Sequence, residues 1–122
     1  MSNCADLIGL RYRLGADGSN GEIDCIHLVY AALRRMAIPT PAFNPAWYDA
    51  SWPCIARALL AWGDRIDRPS YDGDVLVLQQ STKGFAVAWH RGILYINRHS
   101  EQVAWCPVPA MSNYHCFRLK RS

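Results

Sequence analysis

Residues 24–36 are DCIHLVYAALRRM, and the structure expected for this stretch determines how the rest of the chain is interpreted. The composition predicts a helix that begins at Cys25 and continues to about Met36. Ile38 followed by Pro39 ends it, because a proline disfavours helical backbone at the preceding residue. One face of the helix carries residues expected to meet a core: Cys25, Val29, Ala32 and Met36. The predicted helix therefore begins with a thiol.

Two further helices are predicted, one before and one after this helix. Asn3 can cap a short helix that ends by Leu10. A glycine-rich loop then leads to Asp24. Downstream, a helix is predicted over 51–62, with Ser51 as its N-cap and Gly63 as its C-terminal stop.

The hydrophobic pattern changes after Gly63. Short apolar runs separated by turn residues predict strands of an antiparallel sheet at GDVLVL (73–78), FAVAWHRGILYI (85–96), QVAWCPV (102–108) and HCFRLK (115–120). Helices first and strands afterwards predict an α+β architecture in which N-terminal helices pack on a C-terminal sheet. With 122 residues and no interdomain linker, residues 1–122 are expected to form a single domain.

Composition excludes several classes of protein. Half of the residues are apolar, which is typical of a folded domain rather than a disordered chain. The net charge of +3 falls far short of a nucleic-acid-binding footprint. The first residues contain neither a signal peptide nor a membrane span, so the protein is expected to start in the cytosol.

The five cysteines are odd in number and widely scattered, which argues against a disulfide framework. The five tryptophans are expected mostly in the core rather than on a glycan-binding surface. Trp47 and Trp52, around a proline-containing loop, are the ones expected to be exposed.

Cys25 and His90 form the candidate catalytic pair. A helix N-terminus lowers the pKa of a thiol, and an imidazole can activate it further. His90 lies in an apolar run, where alternation places it on the same face as Gly92, Leu94 and Ile96. Gly92 would leave room for the helix to bring Cys25 to the imidazole, which is a cysteine–histidine arrangement for nucleophilic catalysis.

Four blocks of the chain, in order, resemble the NlpC/P60 family of papain-like cysteine peptidases. The nucleophile helix DCSGLV of that family is similar to DCIHLV (24–29), and its HVGIYIG strand is similar to HRGILYI (90–96). The blocks LIGLRYRLGADG (7–18) and YDGDVLVL (71–78) resemble the segments that open the family's domain and its first sheet strand.

The resemblance implies a papain-like core that hydrolyses peptide bonds of peptidoglycan stem peptides without a cofactor. Cys25 would attack the carbonyl, and His90 would act as base and then as acid. Tyr12 and Asp24 would line the substrate pocket, although a core aromatic and a helix cap are equally open roles for them. The backbone N–H of Cys25 would help to hold the oxyanion.

The chain departs from the family at two places. Ile26 and His27 replace the Ser-Gly after the nucleophile, which puts the substrate in doubt. The third catalytic residue has no clean match: Gln102 is favoured by spacing, and Trp105, His99 and a backbone carbonyl are alternatives.

The resemblance extends to single-domain members in phage tails, and an injected antibacterial effector is also compatible. The expected partners are therefore peptidoglycan peptides and phage-tail or effector-delivery proteins. The protein itself would be virion-associated or injected. One rival is a catalytically inactive module of such an assembly. A second rival is a metal site, which would use Cys25, His27, His115 and Cys116.

Overall fold

A computed structural model describes the chain over residues 3–40, 57, 58, 61, 63–78, 84–97, 99–110 and 114–120. In these ranges the protein is α+β: it contains a helix over Cys25–Arg35, further helical residues at 57, 58 and 61, and a six-stranded antiparallel sheet. None of the described helices is long and apolar enough to cross a membrane.

Helix α1 spans Cys25–Arg35, which confirms the helix predicted from residues 24–36. Asp24 is its N-cap, because its side chain accepts a hydrogen bond from the backbone N–H of His27. After Met36 the chain leaves the helix through Ala37, whose φ of 55° lies in the left-handed region. The apolar stripe of the helix buries Ile26, Leu28, Val29, Ala32 and Leu33.

The large sheet contains strands β3 (Gly63–Ile66), β4 (Val75–Leu78), β5 (Phe85–Trp89), β6 (Gly92–Ile96), β7 (Val103–Pro107) and β8 (Tyr114–Leu119). The spatial order is β3-β8-β4-β5-β6-β7, so the last strand lies between the first two. Every neighbouring pair is antiparallel.

Both faces of the sheet are buried along β4, β5 and β6, because successive residues of these strands point to opposite faces and most of them are buried. On one face, Val87, Leu94 and Phe117 join the apolar stripe of α1 in the main core. On the other face, a second cluster has its fully buried centre at Leu76, Ala86, Ile93 and Cys116. Helix α1 lies mainly against β5, which fixes the position of Cys25 relative to that strand.

The N-terminal segment closes one edge of the sheet. Gly9 N–H donates to the carbonyl of Val103, and Val103 N–H donates to the carbonyl of Leu10. Two short parallel strands follow, β1 (Arg11–Tyr12) and β2 (Glu22–Ile23). The glycine-rich loop therefore returns the chain directly to Asp24 and the start of α1.

Several predicted elements differ from those observed. The predicted helix from Asn3 to Leu10 is a single 3-10 turn over Ala5–Leu7. The run 85–96 is a hairpin rather than one strand, because residues 90 and 91 form a turn. Strand β3 was not predicted. Residues 57, 58 and 61 of the predicted helix 51–62 are helical, and the rest of that segment lies outside the described residues.

Candidate functional site

Cys25 is the first residue of α1, and Asp24 holds the backbone around it. One carboxylate oxygen of Asp24 accepts the N–H of His27 at 2.7 Å and lies 2.9 Å from Nδ1 of the same residue. The other oxygen accepts the N–H of Gly15 at 2.9 Å. Asp24 is completely buried, so these bonds replace the water that its charge loses. Of the two roles considered for Asp24, the helix cap is the one observed.

The environment of Cys25 keeps its thiol protonated. Burial, together with a smaller contribution from the negative charge of Asp24, raises the pKa to about 11. Backbone N–H groups of Phe85, Cys25 and Ile26 oppose these effects but do not outweigh them. No imidazole is among the groups that set this pKa in the described part of the chain. At neutral pH the group is therefore a thiol and not a nucleophilic thiolate.

Tyr12 lies close to this thiol. Burial raises the pKa of Tyr12, and the electrostatic neighbours that add to the shift include Cys25 and Asp24. The Tyr12 N–H also donates to the carbonyl of Glu101 at 2.7 Å. The structure thus brings together three of the residues predicted for the site, Tyr12, Asp24 and Cys25, and places Glu101 beside them.

His90 does not lie on a strand, which corrects the prediction made from alternation. It occupies the turn between β5 and β6 with a φ of 53°, and its side chain is exposed. Cys25 lies beside Phe85, the first residue of β5, whereas His90 follows the last. Five residues of extended chain span roughly 16 Å. His90 is therefore at the far end of the strand from Cys25.

Contacts near the C-terminal end of α1 also show that His90 is far from Cys25. Burial raises the pKa of Cys4, whose electrostatic neighbours include Arg35 at the end of α1 and Asp72. Asp72 in turn accepts the backbone N–H of His90 at 3.0 Å. The turn therefore lies near the C-terminal end of α1, about 15 Å along the helix from Cys25.

Gly92 does not admit the helix as expected. The indole ring of Trp105 and the carbonyl of Cys106 fill the space where a Cβ at this position would be. The close approach that this glycine permits is between neighbouring strands, so it gives Cys25 no route to His90.

The other candidates for the third catalytic residue occupy separate places. Gln102 pairs with Arg11 at the end of the molecule where Tyr12 and Cys25 lie. His99 is in an exposed turn, and its N–H donates to the side chain of Asn97 at 2.8 Å. Trp105 lies on β7 beside the hairpin turn.

The proposed metal set is not assembled. Among the described residues, no group of three or more His, Cys, Asp or Glu side chains could hold a metal ion. Cys25 packs against the main core, whereas Cys116 belongs to the cluster on the opposite face of the sheet. His115 is in contact with Arg65, and burial followed by the charge of Arg65 lowers its pKa.

One sequence signal could have indicated the hairpin. The apolar run 85–96 is twelve residues long, about twice the usual strand length, and two polar residues interrupt it at the centre. No sequence signal indicated that Phe85 lies beside Cys25, because this contact depends on how α1 packs on β5.

Neither the known protein-family models nor the curated proteins include a match to this sequence.

Proposed function

We propose that the chain is a papain-like module related to the NlpC/P60 peptidases that acts by binding within an assembly rather than by hydrolysis. The observation that carries this proposal is the placement of Cys25 beside Phe85, with the exposed His90 at the other end of β5. A cysteine peptidase needs an imidazole within hydrogen-bond reach of its thiol.

The electrostatics of Cys25 support the same proposal. Active-site cysteines have a pKa below that of the free thiol, whereas burial raises this one to about 11. Asp24, a charged side chain that acts on it, carries the sign that disfavours a thiolate. The N-terminus of α1 alone does not reverse this balance.

Phage-tail assembly or an injected effector complex is the setting that the sequence resemblance suggests. The partner proteins would belong to that assembly, and the domain would contribute a folded surface to it.

Hydrolysis of peptidoglycan stem peptides by Cys25 is the second candidate function. It is favoured by one observation, the proximity of Tyr12, Asp24 and Cys25 at the start of α1. In this candidate the base would have to come from another group, such as one supplied by a partner, because His90 is remote.

The reactivity of Cys25 towards iodoacetamide tests the proposal. We expect the alkylation rate of Cys25, followed by mass spectrometry of its tryptic peptide, to rise only above about pH 10. At pH 7 it should be at least tenfold slower than in the urea-unfolded chain. The variant Phe85→His is the matched control, since an imidazole beside the thiol should shift the rate profile to lower pH.

Digestion of purified peptidoglycan distinguishes the two candidates directly. The wild type and Cys25→Ala should give identical fragment profiles by mass spectrometry. Stem-peptide fragments that only the wild type produces, or a thiol that titrates below pH 8, would overturn the binding proposal in favour of hydrolysis.

A further inference from the structure

The turn that carries His90 has a strained backbone, because two non-glycine residues adopt positive φ angles there. His90 and Arg91 have φ values of 53° and 61°, the left-handed pair of a two-residue hairpin turn. Asn-Gly is the usual sequence for such a turn, because other residues adopt this backbone at a cost in free energy. Two long polar side chains at this place suggest that the side chains themselves have a use.

A tryptophan is held rigidly beside the turn. The indole N–H of Trp105 donates to the carbonyl of Trp89 at 2.9 Å, and the ring lies across Gly92, where a Cβ would displace it. Trp105 nevertheless remains 37% exposed. An indole fixed in this way loses little side-chain entropy when a ligand covers it.

The imidazole of His90 extends this aromatic surface. Its ring centroid is 5.2 Å from that of Trp89 and 6.4 Å from that of Trp105. The adjacent Arg91 is exposed, and no ion pair to it is found within the described ranges. The rings are tilted against one another, by 36° between Trp89 and His90 and by 54° between His90 and Trp105, so they form a stepped aromatic surface with hydrogen-bonding groups beside it.

We propose that this surface, the hairpin-tip patch formed by Trp89, His90, Arg91 and Trp105, binds a sugar ring of a neutral oligosaccharide. A pyranose presents one face of C–H groups that can stack on the indole of Trp105. Its hydroxyl groups can accept from the guanidinium of Arg91 and exchange hydrogen bonds with the ring nitrogens of His90. This proposal depends on the hairpin tip alone and not on the reactivity of Cys25.

Charge and hydrogen bonding favour a sugar over other ligands that stack on aromatic rings. A single-stranded nucleic acid needs a groove of several cations, whereas this patch contains one arginine, and the carboxylate of Asp72 binds the His90 N–H. A proline-rich peptide docks against aromatic side chains and needs donors for its carbonyls. The indole N–H of Trp105 is already accepted by Trp89, so at this patch only Arg91 and His90 could supply such donors.

Titration with defined oligosaccharides tests the proposal. Chitohexaose, cellohexaose and maltohexaose would each be added to ¹⁵N-labelled protein, with the indole N–H signals followed by NMR. At least one should bind saturably and shift the Trp105 signal, and Trp105→Ala should weaken that binding at least tenfold.

The double variant His90→Asn/Arg91→Gly separates binding from folding. It installs the preferred turn sequence, so it should raise Tm while weakening oligosaccharide binding at least threefold. The proposal would be overturned by the absence of saturable binding to all three sugars, by unchanged affinity in both variants, or by preferential binding of oligo(dT) or polyproline at the patch.

Discussion

Asp24 and Asp74 are charged residues that the fold buries completely, and each holds backbone in place. Asp24 connects the glycine-rich loop to α1, as described above. Asp74 accepts the N–H groups of Ser70 and Tyr71 and forms two hydrogen bonds of 3.0 Å with the guanidinium of Arg118. Breaking such a buried pair is costly, because the remaining charge loses its partner without regaining water.

Replacing Asp74 by Asn should destabilise the protein by about 2–3 kcal/mol at pH 7, below the usual range for a buried pair because Arg118 is partly exposed. Burial alone would raise the pKa of Asp74, but the bonds from Arg118, Ser70 and Tyr71 lower it below the ordinary 3.8. The ionised carboxylate therefore stabilises the fold above that pH, and its contribution disappears as the pH falls through the lowered value.

Urea unfolding followed by tryptophan fluorescence at pH 7 and at pH 3 measures both effects. Asp67→Asn, at an exposed loop position, is the matched loss of charge and should change stability by less than about 0.5 kcal/mol. A destabilisation by Asp74→Asn that did not shrink towards acid pH would contradict the assigned role.

At the scale of elements, the sequence predicted α1 well and the β5–β6 hairpin poorly. The helix is specified locally, by the Asp24 cap and a continuous apolar stripe. The turn at His90 and Arg91 lacks the Asn-Gly signal, and the apolar residues on both sides made the segment resemble one strand. The same error placed His90 beside Cys25 in the prediction. The residue observed there is Phe85, because β5 begins at that residue.

Gly92→Ala tests the packing that stabilises this hairpin. The added methyl group would overlap the Trp105 indole and the Cys106 carbonyl, so we expect a destabilisation of about 1–3 kcal/mol. Thermal unfolding monitored by circular dichroism would measure it. In a Trp105→Ala background the same substitution should cost less, because only the carbonyl contact remains. A cost below about 0.5 kcal/mol in the wild type would show that the ring is not held against Gly92.

At the scale of the whole molecule, the α+β class was predictable and the strand order was not. The alternation of apolar residues identifies strands, but nothing local indicates that β8 inserts between β3 and β4. That arrangement depends on pairs such as Val75 with Phe117, which are far apart in the chain. Sheets built from such distant pairs close late and fold slowly.

A chain that ends at residue 113 should therefore fail to fold, because β3 and β4 would lose the strand that joins them. We expect a collapsed ¹H–¹⁵N spectrum for this truncation. A chain that ends at Lys120 keeps all of β8 and serves as the control, which should give a dispersed spectrum. Dispersed, native-like signals from the shorter chain would contradict the central role of β8.

The bonds between the N-terminal segment and β7 have a consequence for self-association. The backbone N–H and C=O of Val103 are bonded to Leu10 and Gly9. The backbone groups of Trp105 and Pro107, two and four residues further along β7, point to the same edge of the sheet. Pro107 offers no N–H, so this edge presents little to a strand of another molecule. The fold thereby protects an exposed margin of its sheet against edge-to-edge polymerisation.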